Sequence, residues 1–334
     1  MEERKSAGIQ RDIDIGAGNY NEKLGNYYEI KGETINILGN SSQKNRTRKQ
    51  PKVPKLLPYL CDRQPQERRL NQLLKTFFQK DNHKPLVCIL HGDKSQGHDT
   101  FLERTREVFL PSRFKPDERC PIKKYSIRFP KYINKKDDFH EQLRNTLATA
   151  ITNYAFDSIQ EINNCISNNP TMIYVNLSVE EWHKTEVKFI EFFLEFWHNW
   201  TDMCSSQFLM VCLSIKYPTE DNLSFCKRYH LRKMKRKFIE QLEQCINNRL
   251  NQITGTILPE LEGVRQEHVD TWLSVEVKEQ LQDMVATENL DNKIRSFYRD
   301  WEKKNKSNKI PMNYLSEKLR KLLQENLCNQ EDVI

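Results

Sequence analysis

Nowhere in its 334 residues does the chain hold a run approaching the ~18 apolar residues that a membrane span needs. Its opening, Met1-Glu-Glu-Arg-Lys, is polar, with no apolar core of a signal peptide behind it. A soluble, cytoplasmic protein without a membrane partner is therefore the expectation. Nine cysteines (Cys61, Cys88, Cys120, Cys165, Cys204, Cys212, Cys226, Cys245 and Cys328) are odd in number, scattered and never spaced as CxxC, which argues against a disulfide framework and for reduced thiols. The histidines show neither HxxxH nor HExxH spacing, so no metal site is expected. Net charge is only +7 against 53 basic and 46 acidic residues, too small an excess to assign an anionic partner. No fixed-period repeat is present, which excludes a solenoid or propeller.

What the chain does hold is a core's worth of apolar and aromatic side chains, 37% hydrophobic with 16 Phe, 12 Tyr and 5 Trp. Residues 1–40 are rich in Gly, Asn and Tyr, with alternating Ile13/Ile15 and Ile35/Ile37, and read as short β-prone pieces. That segment could pair edge to edge with a similar strand or remain a tail, and its interspersed Asp, Glu, Lys and Arg oppose stacking. Residues 41–54 read as a linker. From 55 to 216, apolar runs at Leu86–Leu90, Lys124–Phe129, Met172–Leu177 and Phe208–Leu213 alternate with helical periodicity, which predicts an α/β fold: a parallel sheet with helices on both faces. Residues 217–334 read as mainly helical.

The first predicted strand runs into a glycine-bearing turn and then a helix, the layout of a phosphate-binding loop. A working loop reads GxxxxGK[ST], in which backbone amides wrap the phosphates, the lysine neutralises their charge and the hydroxyl holds magnesium. Here the sequence is Gly92-Asp93-Lys94-Ser95-Gln96-Gly97-His98-Asp99. Both glycines are correctly spaced, but His98 stands at the lysine position and Asp99 at the hydroxyl position. Placed ~4 Å from a phosphate oxygen, the Asp99 carboxylate would cost on the order of 4 kcal/mol at an effective dielectric near 20. The acidic residue that should end a hydrophobic strand and order magnesium is Asn176, a neutral amide. The sequence thus predicts no catalytic residue and no bound cofactor, with Asp99 serving as N-cap of the following helix.

The segments PYLCDRQPQERRL, LVCILHGDKSQGHDTFLER, IYVNLSVEEW and ILPELEGVRQEHVDTWL together resemble the inactive STAND (iSTAND) family of bacterial signalling and conflict-system proteins. In that family the degenerate Gly97-His98-Asp99 loop is itself a recurring feature. The resemblance implies a P-loop NTPase-like fold without nucleotide hydrolysis, acting as a signalling or scaffold module with protein partners such as an effector or recruitment module. Two other readings stand beside it. One is a nucleotide-binding switch that holds its ligand by backbone contacts alone. The other is nucleic-acid contact through the basic run Lys227, Arg228, Arg232, Lys233, Lys235, Arg236 and Lys237, although the charged side of an amphipathic helix is usually just solvated. Whether copies of the chain assemble stays open.

Overall fold

The computed structural model describes residues 53–331 apart from 62, 80–83, 115–120, 131–134, 153–157, 167–168, 178–186, 205–206, 221–223, 250–253 and 282–286. The β-prone segment 1–40 and most of the 41–54 linker lie outside the described residues.

Five strands form one parallel sheet: β1 (Leu86–Asp93), β2 (Lys123–Arg128), β3 (Thr171–Leu177), β4 (Leu209–Tyr217) and β5 (Gly255–Ile257), in the order β2-β3-β4-β1-β5. β1, β3 and β4 are almost wholly buried, which is why they read as continuous apolar runs and not as alternations. β4 is longer than its apolar run suggests. It continues through Ser214 and Lys216 to Tyr217 because eight residue pairs along β1, from Leu86↔Met210 to Asp93↔Tyr217, hold it in register.

The helices are α1 (Gln64–Gln79), α2 (His98–Arg104), α3 (Lys136–Thr152), α4 (Ile159–Ile166), α5 (Val187–His198) and α6 (Phe225–Arg249). Register shows that they cover both faces. Tyr174 lies opposite Cys212 and Cys88 on one face, where its hydroxyl donates to the Leu102 carbonyl of α2 at 2.7 Å. Tyr217 has the opposite parity, and there the Lys235 ammonium of α6 sits over its ring. Leu70, Leu73, Leu74 and Phe77, spaced three and four residues apart, form the buried stripe of α1. The result is the P-loop NTPase-like sheet with helices on both faces that the alternating pattern predicts.

A second core lies beyond β5. It is built by β6 (Val264–Arg265), α7 (Gln266–Trp272), α8 (Lys278–Leu281), α9 (Thr287–Asn305), β7 (Lys309–Ile310) and α10 (Met312–Glu331), with β6 and β7 antiparallel. Its apolar cluster also takes Leu57, Leu60 and Cys61 from just before α1. By contrast α6 and the segment Leu258–Leu261 belong to the sheet's own cluster. The two cores therefore divide near residue 262, and the chain crosses between them twice. Trp272 seals the first crossing, its indole Nε1 donating to the buried Leu57 carbonyl at 2.7 Å. Replacing Trp272 by Phe keeps an aromatic body but removes one of the two donors to that carbonyl, the other being Leu60 N at 3.1 Å, and should lower stability by about 0.5–1.5 kcal/mol in urea unfolding.

Candidate functional site

Gly92 to Asp99 sits where β1 meets α2, at the C-terminal edge of the sheet. This is the place where open α/β sheets bind ligands. A phosphate loop works by leaving its backbone amides free to donate. Three amides of this loop instead donate within the protein: Lys94 N to the Tyr217 carbonyl at 2.9 Å, Ser95 N to Asp93 Oδ1 at 2.8 Å, and Gln96 N to the Asp93 carbonyl at 3.0 Å. Asp93 closes this turn on itself, also accepting from the Ser95 hydroxyl.

The acceptors of the loop are engaged by the second core. Asn313 N donates to the Ser95 carbonyl at 3.0 Å and Met312 N to Gln96 Oε1 at 3.3 Å. These are first-turn amides of α10, which have no partner within their own helix. The loop thus caps a helix where a phosphate loop would present its amides to an anion. Arg63, only 3% exposed, completes the arrangement by donating from one guanidinium nitrogen to the Gln96 carbonyl at 2.8 Å and from another to the Glu262 carbonyl at 3.1 Å.

Both motif glycines have steric reasons that involve no ligand. A Cβ on Gly92 would lie 2.7 Å from the Leu261 carbonyl oxygen, because the chain after β5 continues alongside β1 through a bridge between Gly92 and Leu261. Gly97 adopts φ +71°, the left-handed region, and a Cβ there would meet Met312 Cγ at 3.2 Å and Asn313 Oδ1 at 3.3 Å.

His98, at the position of the missing lysine, is 1% exposed, and its ring nitrogens lack a hydrogen bond of ordinary geometry among the described residues, with the Ile215 backbone the polar group beside them. Burial, reinforced by the nearby Lys216 and Arg63 cations, lowers its pKa from 6.5 to about 3, so the ring is neutral near pH 7. His91, on β1, is similarly pushed down to about 4 by burial and by Lys235. Asp99 does not cap α2: the residue before the helix is Gly97, with no side-chain cap, and Asp99 lies in the first turn. Its carboxylate pairs with Lys216 Nζ at 2.8 Å instead. The reason is the extension of β4, which carries Lys216 into register with Gly92. Asn176 lies near the end of β3, level with Ser214 and Arg128, and its buried Oδ1 has no partner among the described residues.

The basic run does not converge on the loop as one patch. It lies on α6, where Lys235 turns inward to Glu260 and Arg232 pairs with Glu220 at 2.6 Å, while Lys227, Lys233, Arg236 and Lys237 face solvent and Arg228 is half-buried. Sequence reasoning missed Arg63, Lys216, Met312 and Asn313. Lys216 lies beyond the apolar run that marked its strand, and Met312 and Asn313 lie more than 200 residues away with no local signal.

This geometry defines a P-loop NTPase-like domain whose loop is occupied by its own chain. Residues 58–215 match the family described as inactive STAND. No curated protein matches the chain at a significant level. Among solved structures, the Aeropyrum pernix ORC1 protein in complex with DNA aligns at 12% identity and a TM-score of 0.40, over 80% of this chain and 61% of its own. The ADP form of Aeropyrum pernix ORC2 aligns at 11% and 0.36, over 77% and 67%. A Thermotoga maritima RuvB mutant aligns at 13% and 0.31, over 80% and 72%. The chain thus spans less than two thirds of the ORC1 structure.

Two measurements test the site. Arg63→Ala strands two carbonyls and should cost about 2–3 kcal/mol in denaturant unfolding, with Arg63→Lys recovering only part because an ammonium cannot span both. Because His91 and His98 are neutral when folded while the unfolded chain protonates them near pH 6.5, stability should fall as pH drops from 6.5 toward their folded values of about 4 and 3. Each histidine contributes at most about 1.4 kcal/mol per pH unit, and His98→Leu should make the acid decline shallower in urea titrations at stepped pH.

Proposed function

We propose that this protein is a non-catalytic signalling or scaffold module that acts through protein–protein contact in a bacterial defence or signalling system. The observation that carries this reading is the use of the loop's own hydrogen-bonding groups. Lys94, Ser95 and Gln96 donate internally, and Met312 and Asn313 sit against Gly97. Catalysis of phosphoryl transfer consists of positioning and neutralising phosphate charge, and the residues at the positions that do so here are a neutral buried histidine and an aspartate held by Lys216. The match of residues 58–215 to a family described as inactive supports the same conclusion.

The competing reading, a switch that holds nucleotide through backbone contacts, would draw on loop amides of which Lys94, Ser95 and Gln96 already donate within the protein. It would require those three amides to leave the Tyr217 carbonyl and Asp93, and a phosphate reaching Gly97 would meet Met312 and Asn313 of α10.

Calorimetric titration with ATP, ADP and GTP plus magnesium should give no binding heat and no hydrolysis. A His98→Lys, Asp99→Thr variant, checked for folding by circular dichroism, should also stay silent, because restoring the side chains does not free the amides. Micromolar binding by the natural chain would overturn the proposal.

A further inference from the structure

The longest helix of the sheet domain has one face whose composition the fold does not use. Leu231, Met234, Phe238, Leu242, Cys245 and Ile246 turn α6 toward the sheet's core. At 100° per residue the opposite arc gathers Phe225, Tyr229, Lys233, Arg236 and Lys237, with Arg232 at its edge. Phe225 is 83% exposed and Tyr229 65% exposed, so neither ring contributes its apolar area to the fold. Lys233, Arg236 and Lys237 have no ion-pair partner among the described residues, whereas the flanking Arg232 is fixed by Glu220. Beyond Lys237 the same arc turns acidic at Glu240 and Glu243, which bounds the basic face to residues 225–237, about 18 Å of helix.

We propose that this face of α6 binds single-stranded nucleic acid, the cations tracking phosphates and the two aromatic rings stacking on bases. The pairing of unspent cations with exposed aromatic faces on one arc is the chemistry by which single strands are held without base-edge readout. Duplex DNA would match the cations but would leave the rings unused, since its bases are already stacked. An anionic membrane is a poorer match. An interfacial helix needs its apolar stripe free to enter lipid, and the stripe of α6 is packed against the sheet. The inference uses no part of the glycine loop and stands independently of whether that loop binds nucleotide.

The test is fluorescence anisotropy of the full chain with labelled oligothymidylate and oligouridylate across a salt series. Binding is expected to weaken with salt, with log affinity falling by about 0.7 per phosphate contact for each unit of log salt. A Lys233→Gln, Arg236→Gln, Lys237→Gln variant should reduce that slope by about 2. Phe225→Ala and Tyr229→Ala should each weaken binding about tenfold while leaving the slope unchanged. All five positions face solvent, so the variants should fold as the natural chain does. Four results would overturn the proposal: no binding, equal affinity for duplex, aromatic variants that bind as wild type, or an aromatic-dependent preference for phosphatidylserine vesicles over oligonucleotide.

Discussion

Everything about the glycine turn follows from a single requirement: polar backbone groups held between two packed bodies must find partners within the protein. The turn lies between the core of the sheet and the core of α7 to α10, where water cannot satisfy it freely. Its amides close on Asp93 and Tyr217, and its outward acceptors meet the N-terminal amides of α10 and the Arg63 guanidinium. Each side satisfies the other's orphaned groups, so neither surface is complete alone. A side chain as charged as lysine at position 98 would have to be buried there, and a neutral imidazole tolerates that burial far better.

The alternation of strand-like runs with helical periodicity made the α/β class and four of the five sheet strands legible in sequence, three of them because β1, β3 and β4 are buried on both sides, whereas β2 is mostly exposed. β5 escaped notice because three residues, Gly255-Thr256-Ile257, carry no period, and only its neighbour β1 makes it a strand. The glycine loop was legible as a loop, and its lost side chains as a loss. What replaced them was not legible. Asp99 reads locally as a helix cap, and only the unseen end of β4, with Lys216, redirects it. Contacts between Gln96 and Met312 depend on the folding of a second core, and no spacing rule reaches across such a separation.

The basic run on α6 shows the same limit from the other side. In sequence its seven cations are one cluster; in the fold they divide into an inward lysine over Tyr217, a paired arginine, a half-buried arginine and four that face solvent. The aromatic residues divide as well, Phe238 into the core and Tyr229 out of it. Helical geometry sorts them, and the sorting is what gives the exposed face its chemical character.

The placement of Leu57, Leu60 and Cys61 in the later core has a consequence for the order in which the molecule can be made. These side chains leave the ribosome before the sheet, yet the residues that bury them, from Val264 to Leu327, are synthesised after it. At 5–20 residues per second, the intervening ~200 residues take roughly ten to forty seconds. During that interval the sheet can assemble around β1, β3 and β4, while its leading segment stays exposed. Closure of the glycine turn against α10 then follows assembly of the sheet, and a nascent chain passes through a stage in which that face of the turn is still open.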